Sequence, residues 1–435
     1  MMSSTTIGLI GIILLVALFI IRMPIGFSMA FVGFLGFSFV TSLNTGIAIL
    51  PRDLFEQLNN YSISAITMFI LMGYYAFSAG LGTRLYDAAY KIFGHVRGGL
   101  AISSIFACAA FGAICGSSTA TAATMGKLAI PAMKKYGYNN TLATGCIASA
   151  GTLGILIPPS VIFLIYGFMT EQSIGKLFIS GIIPGLILAI FMSIAVYIMC
   201  AVDPTCGPKG EKVPFGEKVK AFLKIFDVLL LFILVIGGLL FGFFTPTQAG
   251  GIGAAGALVT GIIRRELTWK SFIENTKGAL RTSVMILTII ACATVFGHFM
   301  TISKIPFALS NWVKSLNIPP FMIMFIIILI YLIGGCFIDA IPLIILTIPI
   351  LFPIVMSYGY DPIWFGVIIV LVTCMGVITP PVGVNVYVIK GIAKEVPLET
   401  IFKGIFPFLI AIVITTILLI FFPSIATFLP NLIKY

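Results

Sequence analysis

The sequence predicts an all-α polytopic membrane protein made of inverted repeats, with two re-entrant helical hairpins and two broken helices. Three observations predict it. The composition is too apolar for a surface in water, the apolar runs are as long as bilayer spans, and glycines and prolines recur in one order in two halves of the chain. Hydrophobic types make up 60% of the 435 residues and charged types 9%, where a soluble domain has roughly a half and a quarter. Lipid must therefore solvate much of the surface.

The net charge of +11 does not point to nucleic acid. The Lys and Arg residues sit in short gaps between apolar runs, where they report topology and the anionic inner leaflet. The eight cysteines lie mostly inside apolar runs with no CxxC pair, which argues against a disulfide framework or a zinc site. His95 and His298 are too far apart in sequence for a metal cluster. The run 7–21 lacks a basic leading region and a small-residue cleavage site, so it reads as a first membrane helix instead of a removable signal.

A spanning helix needs about 20 apolar residues. Spans are expected over 7–21, 26–48, 62–80, 177–201, 225–243, 247–263, 282–301 and 404–426. Four other stretches are interrupted. Residues 98–133 and 318–356 break at Gly116-Ser117-Ser118-Thr119 and at Asp339-Ala340-Ile341-Pro342, and read as hairpins. Residues 140–170 and 362–392 break at Gly154…Pro158-Pro159 and Gly376…Pro380-Pro381. Proline removes a helix donor and clashes with the preceding turn, so a pair of them after a glycine unwinds the helix. Residues 83–97 and 302–316 are amphipathic, hold Tyr86, Trp312 and Lys314, and read as interfacial arms.

Two basic loops orient the chain. One holds Lys209, Lys212, Lys218, Lys220 and Lys224; the other holds Arg264, Arg265, Lys270, Lys277 and Arg281. Two spans separate them, so both lie on the cytoplasmic side. Counting outward puts the N-terminus outside, and Arg22, Arg84, Lys91, Arg97, Lys134 and Lys135 inside.

A shift of 222 residues carries Gly112 onto Gly334, Pro131 onto Pro353, Tyr136-Gly137-Tyr138 onto Tyr358-Gly359-Tyr360, Gly154 onto Gly376 and Pro158-Pro159 onto Pro380-Pro381. One further residue of slip aligns Gly181 and Pro184 with Gly404 and Pro407. Helix counting makes the repeats inverted, since the first hairpin begins and ends inside and the second outside. The flanks agree: those of the second carry only Lys304, Lys314 and Asp361. The chain then divides into 1–97 (spanning helices and first arm), 98–202 (first repeat: hairpin 1 and broken helix), 203–316 (spanning helices and second arm) and 317–429 (second repeat: hairpin 2 and broken helix). Inverted repeats with broken helices place a binding site near the midplane. Free backbone groups at a break cannot face lipid. Carbonyls and hydroxyls there suit Na⁺, and helix N-termini suit a carboxylate. Asp339, which aligns with Ser117, is either a cation ligand or the cap of the helix that follows it. Lys127 reads as a snorkelling side chain, and His298 as a packing residue.

The order of a GSSTAT tip, KKYGYNN, a GxxxPPS break, an acidic second tip and a second GxxxPP break resembles the large membrane subunit of tripartite ATP-independent periplasmic (TRAP) transporters, most closely the sialic-acid type. The resemblance covers nearly the whole chain and implies an elevator-type ion transporter fold, in which a transport domain slides against a scaffold. It also implies two or more Na⁺ ions between tips and breaks, a soluble periplasmic binding protein that delivers the substrate, and a small four-helix membrane subunit. That subunit is expected to be separate, because the chain starts almost directly with its first scaffold helix. The Na⁺ ligands are expected from Gly116, Ser117, Ser118, Gly154 and Pro158 at one site and from Asp339, Gly376, Thr379 and Gly383 at the other. The substrate is expected to meet Ser118, Thr119, Thr121, Ser160, Thr379 and Asn385. Its carboxylate falls to hydroxyls or helix N-termini, since the interrupted stretches contain no Arg. The expected activity is Na⁺-coupled uptake of an organic acid, sialic acid in the finer reading, across the bacterial inner membrane. No GxxxxGK[ST] loop is present to cradle ATP. The alternative is a stand-alone Na⁺/dicarboxylate or citrate-type elevator carrier. A membrane enzyme fits poorly, because Asp339 has no acidic partner in a matching apolar run; a channel fits poorly, because hairpins in an intact repeat suit alternating access.

Cysteines introduced at Lys134 or Lys135 should react with an impermeant thiol reagent only from the cytoplasmic side. Cysteines at Tyr358 or Asp361 should react only from the periplasmic side. Labelling of both turns from one side would remove the inversion.

Overall fold

The computed structural model describes residues 3–210, 212–316 and 318–432, and every element among them is helical. The division placed at 317, like the one starting at residue 1, begins on a residue outside that set. Helix α1 (Ser4–Ile20) is capped by Ser3, whose hydroxyl accepts from Thr6 N–H at 3.1 Å. Helix α2 (Ile25–Val40) follows and lies along a long helix of the second half through its glycines: a Cβ on Gly33 would stand 2.8 Å from the backbone nitrogen of Phe296. Small residues permit such approaches where lipid supplies no hydrophobic drive between helices.

The span expected over 26–48 does not form as one helix. It stops at Val40, and a separate helix α3 (Leu43–Leu58) begins. Ser42 is the cause: its backbone is extended and its hydroxyl accepts from Thr45 N–H at 3.2 Å, which starts a new helix. Arg52, Asp53 and Glu56 then make α3 too polar to cross a bilayer. It rests against the second-half helix instead, with Asp53 Oδ2 2.5 Å from His298 Nδ1. His298 is therefore a paired residue in the packing of two helices.

Next come α4 (Ser64–Ser78) and the arm α5 (Leu81–Phe93). Hairpin 1 is α6 (Gly99–Cys115) and α7 (Ser118–Lys135), and the first broken helix is α8 (Asn140–Ala150), the single turn α9 (Leu153–Leu156) and α10 (Val161–Thr170). The half closes on α11 (Ile174–Val202). The second half opens with α12 (Phe215–Lys224), α13 (Phe226–Phe232), a π turn at Ile233–Gly237, α14 (Gly238–Leu240) and α15 (Pro246–Ile263). The long helix α16 (Trp269–Ile302) leads into the second arm α17 (Ile305–Ser315). Hairpin 2 is α18 (Pro320–Phe337) and α19 (Ala340–Ser357); the second broken helix is α20 (Pro362–Gly376) and α21 (Val384–Ile392); α22 (Leu398–Phe421) and α23 (Ser424–Leu432) finish the fold. The run expected over 404–426 ends at Phe421 because Pro423 cannot continue the ladder. Among the described residues seven helices are long and apolar enough to cross a bilayer, or eight if the pair Phe215–Lys224 and Phe226–Leu240, bent by 51°, is one span.

The repeat seen in sequence recurs as geometry. Ser117 and Asp339 cap α7 and α19, and Asn139 and Asp361 cap α8 and α20. Gly137 and Gly359 share a φ of +77°, and both breaks contain a cis bond, Pro158–Pro159 and Pro380–Pro381. The correspondence extends further than the motifs: Gly80 (φ +62°) and Lys304 (φ +56°) are left-handed corners between a long helix and its arm. Each arm then holds a hairpin. Ser103 of α6 donates to Ala89 O of α5 at 3.1 Å, and Ser310 of α17 meets Ser357 of α19 at 3.0 Å.

The centre of the molecule is formed by hairpin 1, the two broken helices and the helix after each. All of Ile363–Gly376 in α20 is buried, and Trp364 Nε1 donates to Leu419 O of α22 at 2.8 Å. Helix α22 lies on α8 where Gly404 meets Gly145 and the carbonyl of Thr141, backbone to backbone. Segment 203–210 is sewn to the base of hairpin 1 by Gly98 N–H to Gly207 O (3.2 Å), Asn139 N–H to Cys206 O (3.1 Å) and Gly210 N–H to Gly94 O (3.0 Å).

Gly404→Val should lower the thermal unfolding midpoint in detergent, at a cost of about 2 kcal/mol or more from forced separation of α22 and α8. Gly251→Ala on α15, where an added Cβ meets nothing within 4 Å, should be neutral or mildly stabilising. Equal midpoints for the two variants would contradict the close approach.

Candidate functional site: a cavity between two hairpin tips

The first tip turns within two residues. Gly116 ends α6 in the left-handed region (φ +65°), which glycine adopts without steric cost, and its N–H donates to Gly112 O at 2.8 Å. Ser117 is extended and starts α7, its hydroxyl accepting from Ala120 N–H at 3.4 Å. The carbonyl of Ser117 accepts from Thr121 Oγ1 at 2.7 Å. This turn presses against the first break. A Cβ on Gly116 would lie 2.9 Å from Pro159 O, and one on Gly154 would lie 2.9 Å from Ser117 O and 2.6 Å from Thr121 Oγ1. Ser160 bridges the break, donating to Ile155 O at 2.6 Å while accepting from Phe163 N–H at 3.4 Å. Ser117, Ser118, Gly154 and Ser160 are therefore brought together.

The second tip is built differently. Helix α18 ends at Ile338, in an extended conformation, and Asp339 Oδ1 accepts from Ala340 N–H at 2.8 Å. Hairpin 2 meets its break one turn before the tip. A Cβ on Gly335 would stand 2.9 Å from Gly376 Cα, and Val382 N–H donates to Cys336 O at 3.3 Å. Thr379 Oγ1 donates to Met375 O at 2.6 Å, and Gly383 (φ +60°) starts α21.

Asn385 crosses between the repeats. It is fully buried on α21, and its Nδ2 donates to Ser118 Oγ of the first tip at 2.7 Å and to Ala148 O of α8 at 2.9 Å. Its Oδ1 is buried without a partner, and so is Ser149 Oγ. Buried unpaired acceptors are costly. Hydroxyl, amide and carbonyl oxygens held beside a helix break form a donor set that suits a hard cation such as Na⁺.

A cavity of 510 Å³ lies in front of both tips. Ser117, Ser118 and Thr119 line it from the first tip, Asp339 and Ala340 from the second, Thr124 and Lys127 from α7, Tyr74 and Phe77 from α4, and Asn275 and Thr282 from α16. The expected substrate set is thus split. Ser118 and Thr119 face the cavity, whereas Thr121, Ser160, Thr379 and Asn385 are outside its lining, the first three bonded to nearby carbonyls and Asn385 to the tip. Gly154, Pro158, Gly376 and Gly383 are also outside its lining. Three wall residues escaped the sequence reading. Tyr74 and Thr282 sit in runs read as plain spans, whereas Asn275 falls in the stretch 264–281 read as a basic loop, most of which the structure makes the first turns of α16; the one available signal was a polar group inside or beside an apolar run. Tyr74 and Thr282 hydroxyls meet at 3.0 Å, tying α4 to α16 across the wall.

Comparison with known proteins gives a family match, relatives and a likeness of fold. The family profile described as "Tripartite ATP-independent periplasmic transporter, DctM component" matches residues 12–425. The C4-dicarboxylate TRAP transporter large permease protein DctM of Pseudomonas aeruginosa is 36% identical over 383 residues, covering 88% of this chain and 89% of that protein. The sialic acid TRAP transporter large permease protein SiaM of Vibrio cholerae is 32% identical over 412 residues, covering 94% and 95%. Among solved structures, the YdaH transporter of Alcanivorax borkumensis superposes with a TM-score of 0.65 at 13% identity, covering 88% of this chain and 90% of that one, a likeness of fold.

Asn385→Leu should cost about 1–3 kcal/mol by leaving Ser118 and Ala148 without their shared donor. Thr288→Val, which removes a hydroxyl bonded only within α16 at an exposed position, should cost under about 0.5 kcal/mol. Thermal unfolding in detergent compares them, and an unshifted midpoint for Asn385→Leu would contradict the bridge.

Proposed function

The chain belongs to the DctM-component family of tripartite ATP-independent periplasmic transporters, and from that premise we propose that it carries out Na⁺-coupled uptake of an organic acid by an elevator movement. It is a multi-pass membrane permease subunit and not an enzyme. Membership in a tripartite family removes the stand-alone carrier that the sequence left open. The partners are a small four-helix membrane subunit and a periplasmic binding protein that hands over the substrate. The location is the bacterial inner membrane, with the N-terminus in the periplasm.

One observation carries the reading: both hairpin tips face a single cavity whose opposite wall is α4 and α16. Tips, breaks and the helices behind them form the moving body, and α1, α2, α4, α15 and α16 the scaffold. One Na⁺ is bound at Gly116, Ser117, Ser118, Gly154 and Pro158, and a second at Asp339, Gly376, Thr379 and Gly383. The unpaired oxygens of Asn385 and Ser149 support a cation behind the first tip. The substrate occupies the cavity against Ser118 and Thr119, while Thr121, Ser160, Thr379 and Asn385 shape the tip and breaks behind it. The cavity extends along α7 toward the end bearing Lys134 and Lys135, which by the positive-inside rule corresponds to an inward-facing state. Sialic acid is the finer substrate reading. C4-dicarboxylates are its competitor, favoured by the name of the Pseudomonas relative.

Reconstituted protein with its small subunit and binding protein should take up the acid under an inward Na⁺ gradient without ATP. ATP-driven uptake that persists without Na⁺ would overturn the reading, and competition by sialic acid against a C4-dicarboxylate decides the substrate. Asp339→Asn keeps the cap on α19, since Asn caps about as well as Asp, and removes the charge. It should raise the Na⁺ concentration for half-maximal uptake several-fold at similar protein levels. An unchanged Na⁺ dependence would reduce Asp339 to a helix cap.

A further inference from the structure

Lys127 lies on α7 nine residues after Ser118, roughly 13 Å along the helix at 1.5 Å per residue. As a snorkelling side chain it would do no more than reach the membrane surface. The structure puts it on the wall of the cavity instead, exposed, beside Thr124. The surface end of the helix is already marked by Lys134 and Lys135, of which Lys134 is paired with Glu395. No ion pair or hydrogen bond engages Lys127 among the described residues.

The charges around the cavity are few. Helices α4, α10, α16 and α21 contribute only uncharged side chains to its lining, among them Tyr74, Asn275 and Thr282. Hairpin 1 contributes Lys127, and hairpin 2 contributes Asp339. The cavity therefore has a polarity, with a carboxylate at the tip end and an ammonium toward the base of α7. Charges on a partly apolar wall interact more strongly than they would in bulk water. An anion is drawn to the lysine end and repelled from the Asp339 end.

We propose that Lys127 receives the acidic group of the substrate, so that a small organic anion lies with its carboxylate toward Lys127 and its hydroxylated body toward Ser117–Thr119. This rests on the transport reading above and amends it, moving the carboxylate from the tip hydroxyls to a lysine. Long side chains on a helix lean toward its N-terminus, so the ammonium points back into the cavity from Cα. A lysine also suits a station that must later release its anion, because it binds as a point charge without the two-pronged grip of arginine.

The test uses the complete transporter in proteoliposomes, with Lys127→Gln and Lys127→Arg beside the wild type. Lys127→Gln should reduce initial Na⁺-driven uptake on the order of tenfold at saturating binding protein. Lys127→Arg should recover most of it, and both variants should keep the wild-type Na⁺ half-saturation and unfolding midpoint. Wild-type uptake by Lys127→Gln would leave Lys127 a snorkelling residue and overturn the proposal. So would equal impairment of Gln and Arg variants at normal midpoints, which indicates shape instead of charge, or a shifted Na⁺ half-saturation. Absence of Na⁺-driven uptake in the wild type would instead overturn the transport reading, and this proposal with it.

Discussion

A backbone that leaves the helix inside a membrane must find its partners within the protein, because lipid offers none. This chain leaves the helix at two tips and two breaks, and the rest of the fold is arranged around hiding those places. Tip is laid on break: Gly116 against Pro159, Gly154 against Ser117, Gly335 against Gly376. Side chains that could have faced outward turn inward to complete the bonding, as Thr121 does for Ser117 O and Ser160 for Ile155 O. The glycines are required at these contacts because backbone meets backbone with no space for a Cβ. Helices α20 and α22, and α8 with them, wrap the assembly so fully that α20 is buried along nearly its whole length.

The two halves satisfy the constraint with different chemistry. The first tip uses a left-handed glycine and a cluster of hydroxyls. The second uses an extended Ile338 and a carboxylate. Its contact with its own break comes a turn earlier, at Gly335 and Cys336, which leaves Asp339 exposed on the cavity side. Asn385 then ties the second half to the first tip, so the two repeats are one bonded unit behind the cavity.

How much of this could be read in the sequence follows from the range over which each residue acts. Gly116, Pro158, Pro159, Gly376, Pro380 and Pro381 act on their own backbone, so the hairpins, the breaks and their repetition were legible before any coordinates. The cap role of Asp339, one of its two readings, was legible for the same reason. Helix α3 was missed because Ser42 interrupts an apolar run with a single hydroxyl, a weaker signal than proline. The pairing of Asn385 with Ser118, and of Tyr74 with Thr282, joins residues more than 200 positions apart, and no local pattern encodes such a meeting. The place of Lys127 on the cavity wall was hidden for a related reason: its distance from the helix end was visible, whereas the wall opposite it is made by α4 and α16.

The corners at Gly80 and Lys304 occupy equivalent places and the same left-handed well, but they are not mechanically equal. Glycine has a broad range of φ open to it, so the corner before α5 is compliant, checked chiefly by the Glu266 carboxylate that crowds Gly80. Lysine at positive φ is confined to a narrow basin, so the corner before α17 is stiff. A load shared by the two arms would bend the first and be transmitted by the second, giving the pseudo-symmetric frame one soft spring and one rigid strut.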